Sequence, residues 1–291
     1  GLRLMLFLAE LNEMEVWATD IGNAYLEATT QEKLYIIGGS EFGKLAGHIL
    51  VIQKALYGLR SSGKRWHERL ADCLRSEGFQ PCKVEPDLWI RPSHDQSCYE
   101  MVAVYVDDLA FGVKDPQALL TTLIQKYKFK LKGSGPISFH LGCDFGRDPD
   151  GTLYMAPEQY IDRMVAQYEQ MFGTKPRDNV TSPLDKGDHP ETDTSELLDA
   201  SKGIQQYQSL IGSLQWAVSL GRFDITTAVM TLSSFRALPR EGHLKRAKRI
   251  VSYLCRFSRA KLRFRTHEPD LSDIPIPEYD WGETTYGDVQ E

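Results

Sequence analysis

The spacing of apolar residues changes near residue 157 and divides the chain into two textures. Before it, apolar runs are short and separated by turn residues, a pattern of strands and hairpins with a few helices. Residues 15–20 read as a strand ending on a carboxylate, Asp20. Residues 34–37 and 49–52 are short apolar strand candidates around a Gly-rich loop. Trp66, Leu70, Cys73 and Leu74 recur at helical spacing, and Gly78 stands where that helix should stop. Residues 99–113 predict two strands joined at Asp107 and Asp108. Asp115 and Pro116 then offer an N-cap and a first-turn proline to a helical stripe of Leu119, Leu120, Leu123, Ile124 and Tyr127. Residues 139–155 predict another hairpin, turning at Asp150-Gly151. Residues 1–10 predict a buried helix that continues into Leu11.

After Pro157 the period is helical. Ile161, Met164, Val165, Tyr168 and Phe172 share one face, and Gly173 ends that helix. Residues 174–203 are polar and predict a long exposed loop. Three helices follow. One carries Tyr207, Leu210, Ile211, Leu214 and Val218. Another starts at an Asp224 cap and carries Ile225, Ala228, Val229 and Leu232. The last carries Leu244, Ala247, Val251 and Leu254. A mixed half followed by a helical half, with no internal repeat, predicts an α+β fold.

With 291 residues, 42% of them hydrophobic, the chain can fill one large core or two ordinary domains. No apolar run reaches the roughly 18 residues that cross a bilayer, and no small-residue cleavage site follows the apolar start. The first residue is Gly rather than Met, as in a piece of something longer. The five cysteines form no CxxC pair, and His140 and Cys143 stand without a second pair. That argues against structural zinc and a disulfide framework, and for reduced thiols in an intracellular protein. The net charge of −6 argues by itself against a nucleic-acid binder, but the distribution changes that picture. From Arg236 to Arg265 the only acid is Glu241, amid eleven basic residues, whereas the tail beyond Glu268 is acidic.

The chemistry-bearing candidates are three carboxylates. Asp107 and Asp108 would serve as plain turn residues, yet adjacent carboxylates repel and no Lys or Arg lies between Arg91 and Lys114. A divalent cation would resolve the repulsion. Asp20 would serve as an N-cap, with Gly22 permitting the bend after it. If its strand lies beside the Asp107 hairpin, three hard oxygen donors converge, a set suited to Mg²⁺ and substrate phosphates.

Several segments then match a known pattern. Asp20-Ile-Gly-Asn-Ala-Tyr25 places an aromatic five residues after an Asp. Tyr105-Val-Asp-Asp108 is a Tyr-x-Asp-Asp motif. Lys54-Ala-Leu-Tyr-Gly-Leu-Arg60 precedes Lys64-Arg65-Trp66, and His140-Leu-Gly-Cys-Asp-Phe145 follows later. Thr181-Ser-Pro-Leu, Tyr207-x-Ser-Leu-Ile-Gly-Ser213 and Gly221-Arg-Phe-Asp-Ile225 complete the series. In order and spacing, from about residue 5 to 265, the set resembles the reverse transcriptases of Ty1/copia-type LTR retrotransposons.

The resemblance implies an RNA-directed DNA polymerase using two-metal nucleotidyl transfer onto a primer 3′-OH. It implies a right-hand architecture. A ferredoxin-like palm with partial fingers would span residues 1–156, with the fingers insert at about 30–60. A helical thumb would span 157–265 with the polar loop 174–203, and a connection toward an RNase H domain would span 266–291. Asp20 and Asp107, with the Ile21 carbonyl, would hold two Mg²⁺ ions, Mn²⁺ being able to substitute. Asp108 would support them as the third catalytic carboxylate. Asn23 and Ala24 would offer N–H groups to the dNTP triphosphate, and Tyr25 would bar a ribose 2′-OH, a core aromatic being its plainer role. Gly58 and Arg60 would lie by the template, Tyr105 near the primer end, and Leu141 and Gly142 in the primer grip. Lys132 would be a proton donor to pyrophosphate, or a plain surface lysine. Lys245, Lys248, Arg249 and Arg256 would face outward to duplex phosphates, or form a solvated helix face.

Implied partners are an RNA or DNA template with its primer, dNTPs, and the rest of a Pol polyprotein, with integrase upstream and RNase H downstream; no membrane is involved. The implied setting is intracellular, a cytoplasmic virus-like particle and then the nucleus. The sequence departs from the pattern at Ser61-Ser62-Gly63, where Gln-Ala-Pro is usual, and at Phe223, where Pro is common. The resemblance implies basic fingers residues upstream and an RNase H domain downstream that would lie outside these 291 residues, so that the fragment would be inactive alone. The rival readings are a degenerate nucleic-acid-binding relic, an unrelated Mg²⁺-dependent phosphohydrolase and a structural module.

Overall fold

The computed structural model describes residues 1–177, 179–200 and 202–268, together with Ser272. Helix α1 (Leu2–Leu11) leads into β1 (Val16–Ile21), and β2 (Tyr35–Ile37) and β3 (Ile49–Val51) form a separate antiparallel ribbon. Then come α2 (Ser62–Ser76), β4 (Gln80–Pro81), β5 (Leu88–Pro92), β6 (Tyr99–Tyr105), β7 (Asp108–Gly112) and α3 (Pro116–Gln125). β8 (Leu131–Pro136), β9 (Phe139–His140), β10 (Cys143–Arg147) and β11 (Leu153–Ala156) end the mixed half. The helical half holds α4 (Glu158–Phe172), α5 (Gly203–Ser219), α6 (Thr226–Ser233) and α7 (Glu241–Arg256), and β12 (Leu262–Phe264) closes the series. The fold is α+β.

The main sheet is antiparallel with strand order β4-β5-β6-β7-β1-β8. Its inner part, β1-α2-β6-β7-α3-β8, follows a β-α-β-β-α-β path. Alternation along β7 sorts its two faces: Leu109 and Phe111 pack with α2 and α3, while Ala110 packs with α1. Helix α1 also meets the second sheet, β12-β11-β10-β9, through Met5, Leu6, Phe145, Leu153, Met155 and Phe264. A third core joins α4, α5, α6 and α7 around Tyr207, Ile211, Leu214, Val229 and Val251.

Most predicted elements are present, including the Asp115 cap, whose carboxylate accepts from the Ala118 N–H. Four expectations need correction. The 99–113 hairpin turns at Val106-Asp107, one residue early, because Asp108 is already paired as the first residue of β7. Asp224 does not cap α6; its carboxylate accepts from Nε and Nη2 of the buried Arg222 guanidinium, and a 3₁₀ turn at Phe223–Ile225 starts the helix instead. The 174–203 segment is not a free loop, since Val180, Pro190 and Leu198 are buried and its acids grip α7. Helix α1 is only half-buried, with Leu4, Phe7 and Leu11 exposed. The strands β4, β5, β8 and β12 were not foreseen as such. The expected connection over 266–291 lies outside the described residues except for 266–268 and Ser272.

Helix α1 crosses β7 so closely that a Cβ added at Gly112 would stand 2.7 Å from the Ala9 Cβ. Gly112→Val should therefore destabilise the fold by about 1–3 kcal/mol through overpacking. A drop in the urea midpoint with unchanged slope would show it, and an unchanged midpoint would refute the close crossing.

Candidate functional site

Pairing of β1 with β7 sets Asp20 directly opposite Asp108. Opposed residues of an antiparallel pair carry their side chains on the same face, so two carboxylates share one patch of the sheet. Asp107 sits in the adjoining turn, where its carbonyl accepts the Ile21 N–H at 2.9 Å. The turn is unusual: Val106 has φ +58°, a left-handed conformation unfavourable for a β-branched residue. The indole of buried Trp66 donates to the Val106 carbonyl at 2.6 Å and holds the turn from below.

No ion pair or side-chain hydrogen bond reaches Asp20, Asp107 or Asp108 among the described residues. Asp108 is held above the usual carboxylate range, chiefly by burial and then by the charges of Asp107 and Asp20. Lys132 stands across from Asp20 on the β8 side, its stem against Gly22. Among the described residues no three His, Cys, Asp or Glu side chains are placed together so as to hold a metal ion, Asp20, Asp107 and Asp108 included. Open acidic clusters of this kind suit Mg²⁺, which keeps its waters and relies on substrate phosphates for further ligands.

Downstream of Asp20, Asn23 takes a left-handed conformation, φ +57°, and starts the 3₁₀ turn Ala24–Glu27. Ala24 is fully buried, and Tyr25 is partly buried. The Tyr25 ring lies 4.4 Å from the ring of Tyr57, tilted by 45°. Tyr57 was not among the predicted site residues. Its phenol is raised by burial first and then by the charges of Asp107, Tyr25 and Asp20. The signal available was its place inside the Lys54–Arg60 motif, next to Gly58, whose φ of +93° suits only glycine. Arg60 is exposed, whereas Lys64 and Arg65 both lean on Glu68.

Residues 1–183, which contain this cluster, match the reverse transcriptase (RNA-dependent DNA polymerase) family. The chain belongs to the reverse transcriptase family. It is 29% identical over 260 residues to the retrovirus-related Pol polyprotein from transposon RE1 of Arabidopsis thaliana, covering 87% of this chain and 17% of that protein. It is 27% identical over 267 residues to that from transposon TNT 1-94 of Nicotiana tabacum, covering 87% of this chain and 19% of that one. A putative transposon Ty5-1 protein of Saccharomyces cerevisiae is 26% identical over 259 residues, 85% of this chain and 78% of its own length. The chain thus spans less than a fifth of the two Pol polyproteins. These relatives are of the Ty1/copia type.

Elsewhere in this reverse transcriptase chain, Leu141 and Gly142 form the two-residue β9–β10 turn, with φ +49° and +86°. Leu141, His140 and Tyr105 line one cavity of about 110 Å³, so the two hairpin tips are neighbours. Burial pushes the His140 imidazole down to about 4. The basic helix α7 departs from expectation. Lys245 and Arg256 are exposed, but the Lys248 ammonium lies 3.9 Å from the centre of the Phe172 ring, and Arg249 pairs with Asp185 at 2.8 Å. Packing of α4 against Lys248 and of the 174–193 segment against Arg249 accounts for the difference.

The raised Asp108 value has a sign that can be measured. Between the ordinary carboxylate pKa, about 3.9, and the raised native value, the folded protein holds a proton that the unfolded chain has released. Stability therefore falls as pH rises through that window and the penalty is complete above it. In metal-free buffer Asp108→Asn should raise the melting temperature at pH 7 and flatten that fall. An equally steep fall in the variant would rule out Asp108 as its source.

Proposed function

We propose that the chain is the polymerase region of a copia-type Pol polyprotein, an RNA-directed DNA polymerase that extends a primer on an RNA or DNA template with dNTPs. The observation that carries this reading is the pairing of Asp20 on β1 opposite Asp108 on β7, with Asp107 in the adjoining turn. Residues 1–156 would be the palm with partial fingers at about 30–60; the β-α-β-β-α-β path supports a ferredoxin-like palm. Residues 157–265 would be the thumb, a reading supported by their four-helix core. Integrase and RNase H would accompany it in the polyprotein, in a virus-like particle and then the nucleus.

Asp20, Asp107 and the Ile21 carbonyl would hold two Mg²⁺ ions, with Asp108 concentrating negative charge beside them. Bound there, the metal supplies a lowered pKa for the attacking 3′-OH and neutralises the leaving pyrophosphate. The protein's own part is positioning. The Trp66 bond and the β1–β7 register fix the carboxylates in advance. The N–H groups of Asn23 and Ala24 would receive the triphosphate, and Tyr25, backed by Tyr57, would stand against the sugar. Lys132, beside Gly22, would donate a proton to the pyrophosphate. Gly58 and Arg60 would meet the template, and Tyr105, Leu141 and Gly142 the primer end. Lys245 would meet duplex phosphates, whereas Lys248 and Arg249 would first have to leave Phe172 and Asp185.

Primer extension on poly(rA)/oligo(dT) with Mg²⁺, run with the polyprotein carrying this chain, tests the reading. Asp107→Asn should lower extension by at least about 100-fold while leaving primer–template affinity within about twofold. Salt-sensitive binding with no extension by the unaltered protein would point to a non-catalytic relic. A separate check concerns the sugar: Tyr25→Val should raise the rate of ribonucleotide incorporation relative to that of deoxynucleotides. An unchanged ratio would remove Tyr25 from that role.

A further inference from the structure

A cavity of about 740 Å³ lies between α7 and the 174–193 segment. Among the described residues seven cations line it, the side chains of Lys175, Arg177, Lys186, Lys245, Arg246, Lys248 and Arg249, against three carboxylates, Asp185, Asp188 and Asp193. Four positive charges are thus in excess, in a chain whose net charge is −6. The carboxylates are already engaged. Asp188 takes Arg246 at 2.7 Å, Asp193 takes the other arm of Arg246, and Asp185 takes Arg249. Lys175, Arg177, Lys186, Lys245 and Lys248 have no ion-pair partner among the described residues.

We propose that this cavity binds a compact polyphosphate, a run of two or three phosphates that is free or carried by a small molecule. Cations crowded into one concavity repel one another, and a single ligand of several negative charges turns that repulsion into attraction. Burial pulls the Lys248 ammonium below the ordinary lysine value, and its near neighbour is the Phe172 ring rather than an acid. The volume falls within the roughly 300–1,000 Å³ of small-molecule pockets. The same walls disfavour a nucleic-acid strand. Single strands are held by an open charged groove with exposed aromatic faces, whereas the one aromatic side chain lining this cavity, Tyr168, is 6% exposed. The acids have a supporting role. By fixing Arg246 and Arg249 they anchor the segment that brings Lys175, Arg177 and Lys186 over the helix.

The site lies apart from the acidic cluster but shares Lys245, Lys248 and Arg249 with the duplex contact proposed above, so the test works in EDTA and without primer–template. Sodium tripolyphosphate is titrated calorimetrically into the 291-residue chain at about 150 mM salt. The expected result is saturable one-to-one binding, weakened at least about tenfold in a Lys175→Ala, Lys186→Ala, Lys245→Ala triple variant. These three side chains hold no ion pair, so the variant should melt at the unaltered temperature. The dATP arm identifies the source. Affinity equal to that of tripolyphosphate means that the triphosphate alone is recognised, and a much higher affinity means a nucleotide ligand; both support the site. Three results would overturn it: binding indifferent to the triple substitution, sulfate matching tripolyphosphate at equal ionic strength, or an oligo(dT) strand bound more tightly than tripolyphosphate through the same lysines.

Discussion

The antiparallel pairing of β1 with β7 is the constraint on which the mixed half turns. It brings Asp20 opposite Asp108 although Asp20 and Asp107 stand 87 positions apart in the chain. That register is unfavourable at its end, where like charges meet, and it survives because the rest of the pairing is apolar on both faces. Leu109 and Phe111 are sealed under α2 and α3, and Ala110 under α1. A one-residue slip would turn each of these to the wrong side. Core packing thus holds in place a charge arrangement that electrostatics alone would disperse.

The turn that ends this pairing shows the same trade. A left-handed valine costs on the order of 1–3 kcal/mol, and the structure keeps it through the Trp66 bond to the Val106 carbonyl and the Ile21 bond to the Asp107 carbonyl. Both donors belong to buried residues of the same core. The carboxylates are therefore pre-positioned, and binding of a cation or phosphate need not order them.

The helical half resolves its charges differently. Its acids do not repel; they reach across to α7 and tie the 174–193 segment down. What reads as a basic helix and an acidic loop, each suited to solvent, becomes one interface with a cationic hollow inside it. Strand β12 then returns from this half to pair with β11, and Arg222, buried at 1% exposure, joins Asp224 to the Phe257 carbonyl. The two halves are stitched together by a strand whose three residues carry too little pattern to be foreseen.

The sequence by itself determined the element types where periodicity ran long, as in α2, α4, α5 and α7, and the family through its ordered motifs. Those features are local: a hydrophobic period, a cap such as Asp115, a glycine at a helix end. Only tertiary structure decided where charges go. Asp224 reads as a cap but serves Arg222, Lys248 reads as a solvated cation but covers Phe172, and Tyr57, given no role by its motif, lies against Tyr25. Each of these depends on a partner brought close by packing, and Coulomb and ring contacts act over a few ångströms of space whatever the separation along the chain.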